Sequence, residues 1–263
     1  MMSERSYVPE QPFFELSTEN YISRFGASSG VMAQYYSFLV APDVELAIVA
    51  VPDGAVDILF HCSGNRPEAQ VCGSVKKGTL VEFERGCLYF GVRFFPGTAE
   101  ALLQCPLNQF TEKQIHLGDV QGSASELEEK ISAASSFAER IALFEQFHAG
   151  CARQNTGVSS LVSFLLDTIN SSIGEIRISD LATKTGYSTR HISGLFTRAI
   201  GISPKLYARI VRFQRCFGRL REYQKSSFAN LAQDSGYYDQ AHLINEFREF
   251  SLCTPTQVLG ACV

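Results

Sequence analysis

The chain has 263 residues, enough for two domains that each bury a core. Its hydrophobic fraction of 45% and charged fraction of 19% are those of an ordinary globular protein, and its apolar runs are too short to cross a bilayer, so a protein anchored by membrane-spanning helices is not expected. The net charge of −4 argues against a nucleic-acid partner until it is divided: residues 1–155 hold 11 Lys and Arg against 19 Asp and Glu, and residues 156–263 hold 12 against 8. An acidic half joined to a basic half is the asymmetry expected when one part meets phosphate and the other does something else.

The opening stretch, MMSERSYVPEQPFFELS, has neither a basic segment followed by an apolar core nor a small-residue cleavage site, so a cytoplasmic location is expected. From about residue 30 to residue 96, short apolar or alternating runs (ELAIVAV, VDILFHC, TLVEFE, CLYFGVRFF) are separated by Gly, Pro, Asp and Asn. These are strand and turn signals, and many short strands without long helices between them predict a sandwich or small barrel. From Ser125 the period changes: SELEEKISAA and FAERIALFEQFHAGCA place apolar residues at three- and four-residue spacing and read as helices. Their apolar positions Leu127, Ile131, Ile141, Phe144 and Phe147 would serve either a dimer face or packing against the barrel. RQNTG, residues 153–157, is polar, ends in Gly and is the expected linker between a domain at 1–152 and a domain at 158–263.

Beyond the linker everything reads as helix, starting with VSSLVSFLLDTI, and the segment contains an internal repeat. Leu181, Ala182, Gly186 and Tyr187 match Leu231, Ala232, Gly236 and Tyr237, and after one extra residue His191, Phe196 and Pro204 match His242, Phe247 and Pro255. Each copy predicts a short helix, a glycine turn and a second helix. Ser179 and Ser227 are the expected N-caps of the first helices, Gly186 and Gly236 their left-handed ends, and Ser188 and Asp239 the caps of the second helices. Ile192, Leu195, Phe196 and Ala199 form one apolar stripe, answered by Leu243, Ile244 and Phe247 in the other copy. Between the copies, Ser203 and Pro204 open a basic helix running to about Glu222. It carries Lys205, Arg209, Arg212, Arg215, Arg219 and Arg221 and is predicted to be ~28 Å long. Two second helices on such a strut would reach successive major grooves, ~34 Å apart.

The eight cysteines (Cys62, Cys72, Cys87, Cys105, Cys151, Cys216, Cys253, Cys262) lie far apart, without a C-x-x-C pair or a histidine at zinc-ligand spacing. They read as buried hydrophobes or incidental thiols, and neither metal nor cofactor is expected. His61, His116 and His148 lack H-x-H spacing, and no phosphate loop, G-x-S-x-G or dinucleotide fingerprint is present, so no catalytic residue is assigned and an enzyme is not expected.

GYSTRHISGLF followed by GISPKLY, and GYYDQAHLINEF followed by TP, resemble the two motifs of the AraC/XylS family of bacterial transcription regulators, over about residues 158–259. The resemblance implies a cytoplasmic α+β protein: a β-rich, cupin-like barrel or sandwich followed by helices, then an all-α double helix-turn-helix domain that binds double-stranded DNA. By position, Arg190, Ser193 and Gly194 match the base-reading face of the first recognition helix, and Gln240, His242 and Asn245 that of the second. Arg suits guanine and Gln or Asn suit adenine. Gly194 departs from the family pattern, because it offers no side chain, so readout by the first helix leans on Arg190 and Arg198. Ser188, Lys205, Arg209, Arg212 and Asp239 are the expected phosphate contacts, with an internal ion pair as the alternative for Arg212.

VPDGAVDILF, VCGSV and GVRFFPGTAEALL resemble a β-rich domain attached to such modules. The resemblance implies a small effector or dimerisation: Arg93 would bind an anionic effector in a pocket lined by Phe60, Phe94 and Phe95, and Asp53 or Asp57 would orient a polar one. The bland reading is that Arg93 is a structural ion-pair partner and that Gly91 and Gly97 serve backbone geometry. A homodimer, a protein partner, and RNA polymerase if the chain activates transcription, stay open; a membrane partner is not expected.

Overall fold

The computed structural model describes residues 7–28, 31–43, 46–63, 67–151, 159–220 and 228–261. The linker expected at 153–157, the cap Ser227 and the strut's end at Arg221 and Glu222 lie outside them.

After a short helix α1 (Pro12–Ser17), the described residues form eight strands: β1 (Glu19–Ser28), β2 (Val31–Leu39), β3 (Leu46–Ala50), β4 (Val56–His61), β5 (Glu68–Cys72), β6 (Thr79–Phe83), β7 (Leu88–Phe94) and β8 (Gln114–His116). Six form one antiparallel sheet in the order β1-β2-β7-β4-β5-β8, and β3 pairs with β6 in a separate two-stranded sheet. The large sheet has two occupied faces because its strands alternate. In β4, Val56, Ile58 and Phe60 are buried on one side while Asp57, Leu59 and His61 point to the other.

The first side joins Phe90, Val92 and Phe94 of β7 and packs against α2 (Glu100–Leu103), α3 (Leu117–Val120), α4 (Ala124–Ala133) and α5 (Phe137–Cys151). Leu127, Ile131, Ile141 and Phe144 are consumed by this packing and Phe147 lies against it, so the helices expected as an alternative dimer face serve the sheet. The second side meets the β3–β6 sheet and α1 through Phe14, Tyr36, Phe38, Ile48, Phe83 and Tyr89. Gly91 is required here by close approach: a Cβ would stand 2.0 Å from the Tyr36 ring.

The helical half comprises α6 (Ser160–Ser171), α7 (Ile178–Thr185), α8 (Thr189–Ile200), α9 (Pro204–Arg219), α10 (Phe228–Asp234), α11 (Gln240–Ser251) and α12 (Pro255–Ala261). One apolar core joins them through Leu165, Ile169, Ile192, Phe196, Phe213, Phe247 and Phe250. The N-cap of α7 is Arg177 and not Ser179, because Ile178 packs on the core and draws the chain into the helix two residues early. The strut α9 has 16 residues within the described range, ~24 Å against the expected ~28 Å. Among the described residues, no helix is long and apolar enough to cross a membrane.

The two halves share more than a linker. Val51 belongs to the helical core, Tyr7 and Phe13 meet Tyr207 and Phe217 edge-on, and Gln214, buried on α9, donates to the carbonyls of Pro52 (2.9 Å) and Glu10 (3.1 Å). The Gly78 amide donates to Glu249 O on α11 at 2.9 Å, and the Thr111 hydroxyl donates to Gly201 O, after α8, at 2.6 Å.

Candidate nucleic-acid interface and regulatory cavity

Each helix-turn-helix unit is built by local rules. Gly186 closes α7 in the left-handed conformation, φ +74°, which costs glycine nothing, and its amide donates to Ala182 O. Ser188 Oγ then accepts the His191 amide at 3.2 Å and starts α8. The second copy repeats the device: Gly236 has φ +72°, and Asp239 Oδ1 accepts the His242 amide at 2.7 Å to start α11.

Burial of Ile192, Phe196, Ala199 and Ile200 turns the opposite face of α8 outward, leaving Arg190, His191, Gly194 and Arg198 exposed and Ser193 half-buried. Burial of Leu243, Glu246, Phe247 and Phe250 does the same for α11, exposing Gln240, Ala241 and Asn245. A Cβ at Gly194 would meet nothing within 4 Å, so neither packing nor backbone geometry requires glycine there. His242 is half-buried: its ring stands edge-on to Tyr237 and its Nδ1 accepts the Tyr238 amide at 3.5 Å. Tyr187, which stacks on His191 at 4.9 Å, and Tyr238, 93% exposed, flank the starts of α8 and α11. Sequence reading took Tyr187 only as the repeat mate of Tyr237, which is buried, and passed over Tyr238.

The basic strut is less free than its composition suggests. Arg209 Nε donates to Glu246 at 2.9 Å and its terminal nitrogen to Glu249 at 2.6 Å, while Arg212 donates to Glu246 at 3.2 Å. Their guanidinium groups lie 4.8 Å from the ring centres of Phe250 and Tyr237. Both arginines, expected at phosphates, thus tie α9 to α11 through Glu246, whose side chain is 1% exposed. Lys205 is exposed and makes no ion pair among the described residues, so of the three strut cations assigned to phosphate it alone has its charge uncommitted. Asp239, also assigned to phosphate, is engaged as a cap; a carboxylate there repels phosphate and has no hydrogen to donate.

In the N-terminal half, Arg93 and Asp57 face each other across the β4–β7 register and form a bidentate pair, Nε to Oδ1 at 3.1 Å and the terminal nitrogen to Oδ2 at 2.8 Å. The Tyr36 hydroxyl donates to Asp57 at 2.8 Å, and Asp53 approaches Arg93 at 3.5 Å while accepting from Gln11 and from the Ala55 amide, both at 2.9 Å. Burial holds the Asp53 carboxyl above its ordinary value despite the pull of Arg93.

These groups line a cavity of about 540 Å³ between the two sheets, walled by Leu59, Cys72 and Phe83, with Lys77 and Lys113 at its rim. Phe60 and Phe94, expected beside Arg93, point to the opposite side of the sheet, and Phe95 packs edge-on against Phe25. Alternation along β4 carried the signal: Asp57 and Phe60 are an odd number of residues apart. Three residues of the cavity, Asp53, Lys77 and Glu112, are each one residue from a tie to the helical half, at Pro52, Gly78 and Thr111.

Two capped helix-turn-helix units on one strut define a DNA-binding regulator of the double helix-turn-helix class. Residues 181–261 match the family described as a helix-turn-helix domain, and residues 20–116 match a domain of unknown function (DUF6597). The chain carries a helix-turn-helix domain of the AraC type in its C-terminal region, behind a β-rich domain. Similar solved structures include ToxT from Vibrio cholerae, at 10% identity and TM-score 0.42 over 92% of this chain and 99% of that one. ToxT from Vibrio cholerae O395 aligns at 12% identity and TM-score 0.40, over 92% and 95%. Wild-type ToxT from Vibrio cholerae strain SCE256, bound to an unsaturated fatty acid, aligns at 12% and 0.37, over 91% and 92%. No curated protein matches the sequence.

Proposed function

We propose that the chain is a cytoplasmic transcription regulator that reads an operator with α8 and α11 in successive major grooves, under the control of a small effector held in the N-terminal cavity. The observation that carries the reading is the pair of capped helices with buried apolar faces and outward faces bearing Arg190 and Arg198 on one and Gln240 and Asn245 on the other. These types suit guanine and adenine edges, while Ser188 at the start of α8 and Lys205 on the strut suit phosphate. The regulator divides into 1–152 and 158–263, and RNA polymerase is a further partner if it activates. Fluorescence anisotropy with the gene's own upstream DNA against a scrambled duplex, at physiological salt, tests this; equal affinity for the two overturns it.

The effector reading rests on the cavity and on its three neighbouring ties to the helical half. With Arg93 closed by Asp57, the cavity favours a molecule with an apolar body whose polar groups reach Asp53 or the rim lysines Lys77 and Lys113, rather than an anion bound by Arg93 alone. A second reading, in which the N-terminal domain only dimerises or binds a protein, is favoured by the edge strand β1, where Ile22 and Phe25 are 46% and 52% exposed. Thermal-shift screening of the full chain against metabolites separates the two: a stabiliser lost in Asp53→Ala supports the effector, and a concentration-dependent Tm without any stabiliser supports dimerisation.

A further inference from the structure

One end of the two facing sheets brings together three side chains that no sequence motif joins. His61 is the last residue of β4, and the turn Glu84, Arg85, Gly86, Cys87 carries the chain from β6 in the small sheet to β7 in the large one. His61 Nε2 stands 3.5 Å from Glu84 Oε2, Cys87 Sγ stands 3.7 Å from the same oxygen, and the three atoms lie within 4.8 Å of one another. The His61 ring is stacked on Tyr89 at 5.2 Å, which fixes its direction. Its Nε2 is closed off from solvent and has no hydrogen-bond partner among the described residues. Gly86, at φ +69°, supplies the left-handed bend that lets Cys87 turn back to Glu84.

We propose that His61, Glu84 and Cys87 form a binding site for a divalent transition-metal ion of the zinc class. Zinc holds nitrogen, oxygen and sulfur ligands at about 2.0–2.3 Å, so adjacent corners of its tetrahedron are ~3.3–3.8 Å apart. The two separations to Glu84 already fall in that range. An imidazole and a thiolate beside one carboxylate select a borderline metal over magnesium or calcium, which take oxygen ligands. The orphaned Nε2 is the lone pair that such an ion uses, and binding replaces the Cys87 thiol proton, which leaves to solvent. A pocket of about 180 Å³ borders His61 and Glu84 and also contains Glu68, paired with His61 across the β4–β5 register, so a carboxylate or water is at hand for the fourth position. The ion would clip the small sheet to the large one. The site stands whether or not the chain reads an operator.

Titrating the purified, reduced full-length protein with Co(II) tests the site. Thiolate-to-cobalt charge-transfer absorption is expected to saturate at one equivalent and to be displaced by Zn(II), and Zn(II) is expected to raise the Tm. Cys87→Ser abolishes the band, His61→Gln and Glu84→Gln each weaken binding by ~10-fold or more, and Cys72→Ser leaves the band in place. Glu84, 74% exposed in a turn, can be replaced without disturbing a core, so its variant reads the site even if His61→Gln folds poorly. No band in the wild type, or a band of undiminished affinity in Cys87→Ser or in Glu84→Gln, overturns the proposal.

Discussion

Arg190 and Gly194 stand one turn apart on the outward face of α8, and they carry opposite expectations. Arg190 has the length and fork to reach a guanine, so Arg190→Ala is expected to cost ~1–3 kcal/mol at one base pair and to flatten preference there, measured by binding to a panel of single-base operator variants. Gly194 has open space around its missing Cβ, and glycine inside a helix is ~1 kcal/mol worse than alanine. Gly194→Ala therefore raises the Tm. If operator affinity falls as the Tm rises, the backbone at Gly194 approaches DNA closely; if it holds, readout lies with Arg190 and Arg198.

A third residue sets a pH dependence. His148 is buried against Phe94 and Phe144, its Nε2 unpartnered, and burial holds its pKa below the ordinary 6.5. The unfolded chain therefore binds the proton first, and stability is lost as pH falls through 6.5 toward the lower folded value. His148→Phe removes that part of the loss, read as a shallower acid slope in urea unfolding.

Between elements, the joint of α9 with α11 is an electrostatic knot with Glu246 at its centre. Taking away one member of a buried ion pair leaves the others uncompensated and typically costs ~3–5 kcal/mol. Glu246→Ala is expected to fall in that range by chemical denaturation, and Glu249→Ala, which removes a half-exposed partner, to cost under ~1 kcal/mol. If the two variants are equal, the knot is not centred on Glu246.

The same joint marks how far the sequence could be read. The glycine ends of the first helices and the caps Ser188, Ser203 and Asp239 were legible because each is settled within four residues of chain, and the repeat because two such local patterns recur in one sequence. The partners of Arg209 lie 37 and 40 residues away and that of Arg93 lies 36, so they depend on helix packing and strand register, which composition does not carry. Ser179 failed as a cap because tertiary burial of Ile178 outweighed a local preference. His61, Glu84 and Cys87 meet only because a turn crosses between two sheets, so no spacing rule could have joined them.

At the scale of the molecule, the two readers are not held by their strut alone. Gly78 ties the far end of α11 to the strand that walls the cavity, Thr111 ties the residue after α8, and Gln214 ties the middle of α9 to Pro52. The cavity wall therefore meets the helical half at three points, and under the proposed function these contacts would couple the relative setting of α8 and α11 to the β-rich half. Gln214→Ala isolates one link. It leaves the buried Pro52 carbonyl without its donor, at a cost of ~1–3 kcal/mol, and deletes no atom from either reading face. Hydrogen exchange is expected to quicken together in residues 49–55 and in α9, because both sides of the tie are loosened, while α8, held by Thr111, keeps its protection. Quickening confined to α9 would mean that the β-rich half and the strut are stabilised separately, and that the cavity has no purchase on α11 through this contact.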